Sequence, residues 1–117
     1  MNTYEISSGE RLSKSVIDKR VKKAKENYIN DFRDKHGYLF CERTKRVDCV
    51  LDCSHIISVK ACQNMGRSEL AYSLDNIELL SRKEHEKIES WKNDKRLAWY
   101  NARRNGLSFF WFLKKYK

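Results

Sequence analysis

The chain of 117 residues contains no proline and only four glycines. These residues interrupt helices and shape irregular segments, so their scarcity argues against long loops. The longest apolar run, Phe109 to Leu113, is far shorter than the roughly 20 residues of a membrane-spanning helix. The N-terminus also lacks the basic and apolar regions of a signal peptide. We therefore expect a single cytoplasmic domain over residues 1–117 that has no membrane partner.

The sequence also lacks the Cys-x-x-Cys spacing that is typical of zinc knuckles. Its four cysteines are Cys41, Cys49, Cys53 and Cys62. Disulfides are rare in reducing compartments, so most of these residues are predicted to be buried free thiols. A zinc site built from all four remains the alternative.

The net charge of +9 is unevenly distributed along the chain. Residues 1–37 carry 9 Lys/Arg against 6 Asp/Glu, and residues 81–117 carry 11 against 4. Residues 38–80 carry 5 against 6, so the centre is nearly neutral. This pattern suits a polyanion that is held by the flanks and acted on by the centre. A solvated lysine-rich surface is the alternative interpretation.

Apolar periodicity predicts a helix over residues 12–35, which ends at the left-handed stop Gly37. Residues 38–40 are predicted to form a short strand or an apolar entry into the core. A strand or hairpin follows within residues 47–57, then a loop with a short helical turn over residues 58–74, and a second strand over residues 76–80. The expected order is therefore helix, strand, strand, helix.

Ser81 and Glu84 have the spacing of a capping box, which predicts a helix from about Arg82 directly after the second strand. His85 and Glu89 share one face of this helix, and Ile88 and Trp91 are expected to face the core. Residues 93 and 94 should interrupt it before a further helix that ends near Arg104.

Three polar residues adjoin the short apolar runs of this central region: His55, Asn76 and His85. A histidine base, an amide that orients it and a histidine that holds a metal ion are the components of a one-metal phosphodiester cleavage site. Each residue also has an ordinary structural explanation. His55 could be a half-buried strand histidine, Asn76 a turn residue, and His85 with Glu89 an exposed helical pair.

These residues, in Ser54-His55-Ile56-Ile57, Asp75-Asn76-Ile77 and the helix that carries His85, resemble the HNH nuclease family over residues 38–91. The resemblance implies an α+β fold with a ββα-metal core, a β-hairpin packed on a helix around one divalent cation. Terminal segments over residues 1–37 and 92–117 would flank this core. The resemblance also implies that His55 is the general base.

The resemblance further implies that Asn76 either holds the imidazole or backbone in place or binds the cation. His85 would be a metal ligand, and Glu89 fits a second ligand position on the helix. These donors suit Mg²⁺ or Mn²⁺ and also admit Ni²⁺ or Zn²⁺.

The chain departs from the family in two places. Many members carry Asp or His directly before the catalytic histidine, whereas this chain has Ser54. Either Asp52, which lies on the same face of the strand, replaces it as a ligand, or the metal ion is held by fewer protein groups and more water. The family often has two Cys-x-x-Cys pairs that bind structural zinc. Here these positions read Cys41-Glu42-Arg43-Thr44 and Ser81-Arg82-Lys83-Glu84. We therefore expect no structural zinc and a helix that starts at its capping box instead.

The flanks supply candidate nucleic-acid contacts, because guanidinium and ammonium groups pair with phosphate. We expect these contacts at Lys22, Lys23, Arg96, Arg103 and Arg104. The aromatic segment 107–113 is predicted to form core that closes over the first helix, with a homodimer interface or a base-stacking surface as alternatives.

Together these features predict a small metal-dependent endonuclease of the phage and bacterial type that acts on DNA, with RNA as the alternative substrate. The rival interpretation is a non-catalytic HNH-fold module that binds nucleic acid or protein.

Overall fold

The computed structural model of the chain describes residues 2–116. Within this range it is a mixed α+β fold with two small antiparallel sheets and five α-helices. This confirms the coarse prediction of an α+β fold. None of the helices in residues 2–116 combines the length and the apolar character that crossing a bilayer requires.

The chain begins with a hairpin that the sequence did not predict. Its strands are β1 (Thr3–Glu5) and β2 (Arg11–Ser13), paired in antiparallel register from Thr3↔Ser13 to Glu5↔Arg11. Gly9, at a φ of 90°, lets the connecting turn close. Three-residue strands are too short to show the alternating pattern from which a strand is predicted.

The predicted first helix is confirmed as α1 (Lys14–His36). Ser13 begins it, because the Ser13 Oγ accepts a hydrogen bond from the Val16 amide at 3.3 Å. Gly37 ends it in the left-handed conformation and donates its N–H to the Arg33 carbonyl at 2.7 Å. Ile17, Ala24 and Phe32 form the buried stripe.

Residues 38–50 form bends and turns, so the alternatives of a strand at 38–40 and a hairpin around 48–51 were wrong. The aromatic residues of this segment pack on the end of α1 rather than in a sheet. The ring of Phe40 lies 4.8 Å from that of Phe32 and 5.0 Å from that of His36. The apolar run that suggested a strand therefore reflects side chains that pack on the end of α1.

The central sheet pairs β3 (Leu51–His55) with β4 (Ile77–Ser81) in antiparallel register, from Leu51↔Ser81 to His55↔Ile77. The second predicted strand is thus confirmed with a shift of one residue. The connection contains more helix than predicted. It comprises α2 (Val59–Asn64) and two 3₁₀ turns, Ser68–Tyr72 and Leu74–Asn76.

Helix α3 (Arg82–Glu89) follows β4 without an intervening residue, as predicted. The Ser81 Oγ accepts a hydrogen bond from the Glu84 amide at 3.3 Å. The Glu84 carboxylate does not complete the predicted box but contacts Lys87 Nζ at 3.0 Å and Arg43 at 3.9 Å. Ile88 is fully buried and Trp91 partly buried, so both face the core as expected.

The described chain ends with α4 (Asn93–Arg104) and α5 (Phe109–Lys115). The helix is interrupted at residues 90–92, so the prediction that residues 93 and 94 interrupt it was wrong, since these residues begin α4. Phe112 is buried, and its ring lies 5.4 Å from that of Trp99 and 6.1 Å from that of Trp91. The aromatic segment therefore packs on α4 and the residues before it, and the predicted closure over the first helix is corrected. Phe110 and Trp111 are exposed.

Candidate active site

The site is built around His85, whose two ring nitrogens each face a carboxylate. The Nδ1 atom lies 3.1 Å from Asp52 Oδ2, and the Nε2 atom lies 3.0 Å from Glu89 Oε1. A carboxylate only accepts, so both contacts are hydrogen bonds only when the imidazole is protonated. The side chains of Asp52, His85 and Glu89 are 19%, 28% and 55% exposed, which leaves the cluster open to solvent on one side.

The order of strand, strand and helix explains how these three residues meet. Asp52 lies in β3, and β4 pairs with β3 and leads directly into α3. His85 and Glu89 are four residues apart and therefore lie on one face of α3. The Ser81 cap fixes the first residue of α3. His85 lies one helical turn after this cap and therefore faces strand β3.

Two arginines contact the carboxylates of the cluster. Arg82 donates to both Asp52 oxygens, at 2.8 and 3.2 Å, and this hydrogen bond holds the pKa of Asp52 below its ordinary value. Arg96 lies 3.6 Å from the Glu89 carboxylate. Each carboxylate is therefore partly neutralised by a side chain of the protein itself.

His55 is the last residue of β3, and its ring is anchored on one nitrogen. His55 Nε2 lies 2.7 Å from the Ala71 carbonyl oxygen. Because a carbonyl only accepts, Nε2 carries the proton and Nδ1 is left as the basic nitrogen. Burial lowers the pKa of His55, with smaller contributions from Lys25 and Arg96 in the same direction, while Glu89 raises it. The ring is therefore neutral at pH 7, as a general base requires.

Asn76 is fully buried, and its amide group contacts backbone groups and the Cys62 thiol. The Oδ1 atom accepts from the Ile57 amide at 2.7 Å, and the Nδ2 atom donates to the carbonyls of Ile57 and Leu70, both at 3.0 Å. Of the two predicted uses, the structure shows the holding of backbone. The catalytic role of Asn76 stays a prediction.

The donor set of Asp52, His85 and Glu89 suits a hard divalent cation. The Ser54 Oγ, on the same face of β3 as Asp52, is buried without a hydrogen-bond partner among residues 2–116. The two carboxylates address opposite edges of the His85 ring, so these contacts must be exchanged before one ion can meet all three residues. Accordingly, no three His, Cys, Asp or Glu side chains in the described range are arranged around a common ion position.

An open cavity of about 670 Å³ lies beside this cluster, between α1 and α3. Asp52, His85 and Glu89 line one side, and Lys25 of α1 lines the other. The sequence-based prediction named Lys22 and Lys23 among the lysines of α1 and missed Lys25. The signal was present in its spacing, since Lys25 directly follows Ala24 of the buried stripe and precedes the cavity-lining Ile29 by four residues.

The predicted phosphate contacts fall into two groups. Arg96 and Arg103 are held inside the protein. Arg96 is 4% exposed, and Arg103 donates to the Asp75 carbonyl and the Tyr28 hydroxyl, both at 2.7 Å. A phosphate would have to displace these contacts to pair with either guanidinium. Lys22, Lys23 and Arg104 are exposed and stay predictions.

The four positions that correspond to the family's zinc pairs are close together. The buried Cys41 thiol is hydrogen-bonded by the Thr44 side chain and by backbone groups that include Ser81, and Ser81 caps the helix at Glu84. Burial raises the pKa of Cys41, but these hydrogen bonds bring it below its ordinary value. All four cysteines are free thiols, of which Cys41 and Cys62 are buried.

Beside these positions lies a buried ion pair that joins Arg43 and Glu78 at 2.9 Å. Glu78 also accepts from the Trp99 indole N–H at 3.0 Å, and the Arg43 guanidinium lies 4.1 Å from the centre of the Phe109 ring. The ion pair therefore connects the turn after α1, strand β4 and the C-terminal helices.

Comparison with known proteins gives no match among family models, curated proteins or solved structures. Any assignment of function therefore depends on the residues and the geometry described above.

Proposed function

We propose that the protein is a metal-dependent HNH-type endonuclease that hydrolyses phosphodiester bonds in DNA, with His55 as the general base. The observation that carries this proposal is the contact of Asp52, His85 and Glu89 on a strand–strand–helix unit whose first strand ends at His55. The ββα-metal core belongs to the same proposal.

His55 would take the proton from the attacking water at Nδ1. Its Nε2–H is bonded to the Ala71 carbonyl, which fixes the tautomer and the direction of the ring. Because burial lowers the pKa of His55, the ring is neutral near pH 7 and can accept a proton directly. Asn76 supports this role at a distance, since it holds the backbone two residues after His55.

Asp52, His85 and Glu89 would hold the cation. A bound divalent cation neutralises the charge of a phosphodiester and stabilises the departing oxygen. For this purpose Asp52 must leave Arg82 and His85 must bind through an unprotonated nitrogen. Arg82, which is 64% exposed, is then free to pair with a phosphate oxygen of the substrate.

The charge distribution supports DNA as the substrate class. The cavity beside the cluster has Lys25 on its α1 side, and Lys22 and Lys23 are exposed on the same helix. A polyanion lying between α1 and α3 would meet these ammonium groups before its backbone reached His85.

A second candidate function is a non-catalytic module that binds nucleic acid. One observation favours it: arginines contact both Asp52 and Glu89, so the carboxylates are neutralised without any cation. Ser54, at the position where many family members carry a ligand, agrees with this alternative.

The test compares plasmid DNA cleavage by the wild type, His55→Ala and His85→Ala in Mg²⁺ or Mn²⁺, with a chelator arm and an RNA arm. His36→Ala is the matched control, because this histidine is exposed at the end of α1. We expect the wild type and the control to nick or break the plasmid. His55→Ala should cleave it about 10²–10⁴-fold more slowly, and chelator should abolish cleavage by every protein. If no variant cuts and all retard DNA in a salt-dependent way, the module is the correct interpretation.

A further inference from the structure

We propose that Arg96 is a positioning residue that fixes the His55 end of β3 against Glu89 of α3. The inference rests on the proposed function, because it assigns Arg96 a part in orienting the base relative to the cation ligands.

Three groups of the Arg96 guanidinium have partners. Nε donates to the Ile56 carbonyl at 2.7 Å, and one terminal nitrogen donates to the His55 carbonyl at 2.8 Å. The other terminal nitrogen lies 3.6 Å from the Glu89 carboxylate. Arg96 thus connects the backbone of the base to a side chain of the predicted cation cluster.

The contacts of Arg96 lie where strand β3 ends. His55 is the last residue of β3 that pairs with β4. Beyond it, Asn76 holds Ile57 from one side, and Arg96 holds the carbonyls of His55 and Ile56 from α4. The backbone that carries the imidazole is therefore held by Asn76 and Arg96, in addition to the contact of the ring with Ala71, and Arg96 connects this backbone to Glu89 of α3.

Burial explains why an arginine is needed. The residue is only 4% exposed, and a buried guanidinium is costly unless its donors are satisfied. Its planar fork reaches two successive carbonyls and a carboxylate at once, whereas a lysine ammonium is a single point that cannot span them. Arg96→Lys therefore keeps the charge and removes the geometry.

The experiment compares Arg96→Lys with the wild type in steady-state DNA cleavage and in NMR spectra of the histidine rings. Arg11→Lys is the matched control, since Arg11 also donates to a side chain and a backbone carbonyl but is exposed in the first hairpin. We expect Arg96→Lys to lower kcat by about 10–100-fold with KM for DNA changed by less than about twofold. The ring signals of His55 should move in this variant and stay in place in the control.

The outcomes separate this inference from the proposed function. A folded Arg96→Lys protein with wild-type kcat and unmoved His55 signals overturns the inference, and so does a change confined to KM. If the wild type itself does not cut DNA, the proposed function fails, and the His55 ring signals alone decide whether Arg96 positions the residue.

Should Arg96→Lys fail to fold, the wild type supplies the measurement. The Arg96 Nε–H should exchange slowly with solvent and show a through-hydrogen-bond coupling to the Ile56 carbonyl carbon, whereas the Arg11 Nε–H should exchange fast. Fast exchange at both positions would overturn the inference.

Discussion

Two polar clusters contact the β3–β4 sheet, and they use similar residue types in opposite ways. In the Arg43–Glu78 pair the side chains are 3% and 2% exposed, and Trp99 and Phe109 contact the pair. In the Asp52–His85–Glu89 cluster the side chains are 19–55% exposed, and their ion pairs and hydrogen bonds are with other side chains. The first pair is withdrawn from solvent, whereas the contacts of the second cluster can be exchanged for a ligand. Burial therefore separates the charges that hold the fold from those available for chemistry.

The buried pair gives the largest expected effect on stability. Arg43→Met leaves Glu78 charged and unpaired in the core, so we expect a loss of about 3–5 kcal/mol in the free energy of unfolding. Urea denaturation measures it, with the exposed Arg46→Met as control. The double variant Arg43→Met/Glu78→Leu should recover part of the loss. A single variant as stable as the control would show that the two clusters do not differ.

Asn76→Ala should have the next largest effect on stability, about 3 kcal/mol. The substitution strands the Ile57 amide and the carbonyls of Ile57 and Leu70 without their partner in a buried site. Thermal or urea unfolding measures the change against Asn101→Ala, an exposed position in α4. If cleavage is lost while the free energy of unfolding is unchanged, Asn76 belongs to the chemistry and not to the fold.

The pH dependence of stability tests whether His55 behaves as a buried neutral ring. Burial lowers its pKa in the folded state below the ordinary value of a histidine, so the unfolded chain binds the proton first as pH falls. The free energy of unfolding should therefore decrease from pH 7.5 to pH 5.5. His55→Gln should show a smaller decrease, since the variant lacks this ring. Equal decreases would contradict the assignment.

The smallest expected effect is on DNA affinity and compares two lysines of α1. Lys25 lines the cavity beside the cluster, whereas Lys23 is exposed outside that lining. Lys25→Gln should weaken DNA binding and reduce the slope of log K against log salt by about one, with Lys23→Gln changing both less. Fluorescence anisotropy at several salt concentrations measures both. A larger effect from Lys23 would place the DNA elsewhere on the helix.

Local signals predicted the helices well. The α1 stripe, the Gly37 stop and the Ser81 cap each act within a few residues, so the sequence alone fixes where α1 ends and α3 begins. These signals also placed His85 and Glu89 on one face. Asp52 was predicted as a cation ligand, because it shares a strand face with Ser54, and the structure places its carboxylate 3.1 Å from the His85 ring.

The features that the sequence did not predict depend on packing between residues far apart in the chain. Nothing near Arg96 in the chain indicates that its guanidinium reaches carbonyls 40 and 41 residues earlier. Lys25 was missed for the same reason, since its role depends on α3 lying opposite. Residues 38–40 are apolar, and such a run is compatible with either a strand or a cluster of side chains packed on a helix. In the structure Phe40 packs against Phe32 of α1.

The closure of Cys41, Thr44, Ser81 and Glu84 by hydrogen bonds and ion pairs has a practical consequence. These side chains are held by contacts within the polypeptide. The protein should therefore tolerate stripping with EDTA and reloading with different ions in sequence. The DNA cleavage rates with Mg²⁺, Mn²⁺ and Ni²⁺ could then be compared in a single preparation, with the metal-free protein as the control.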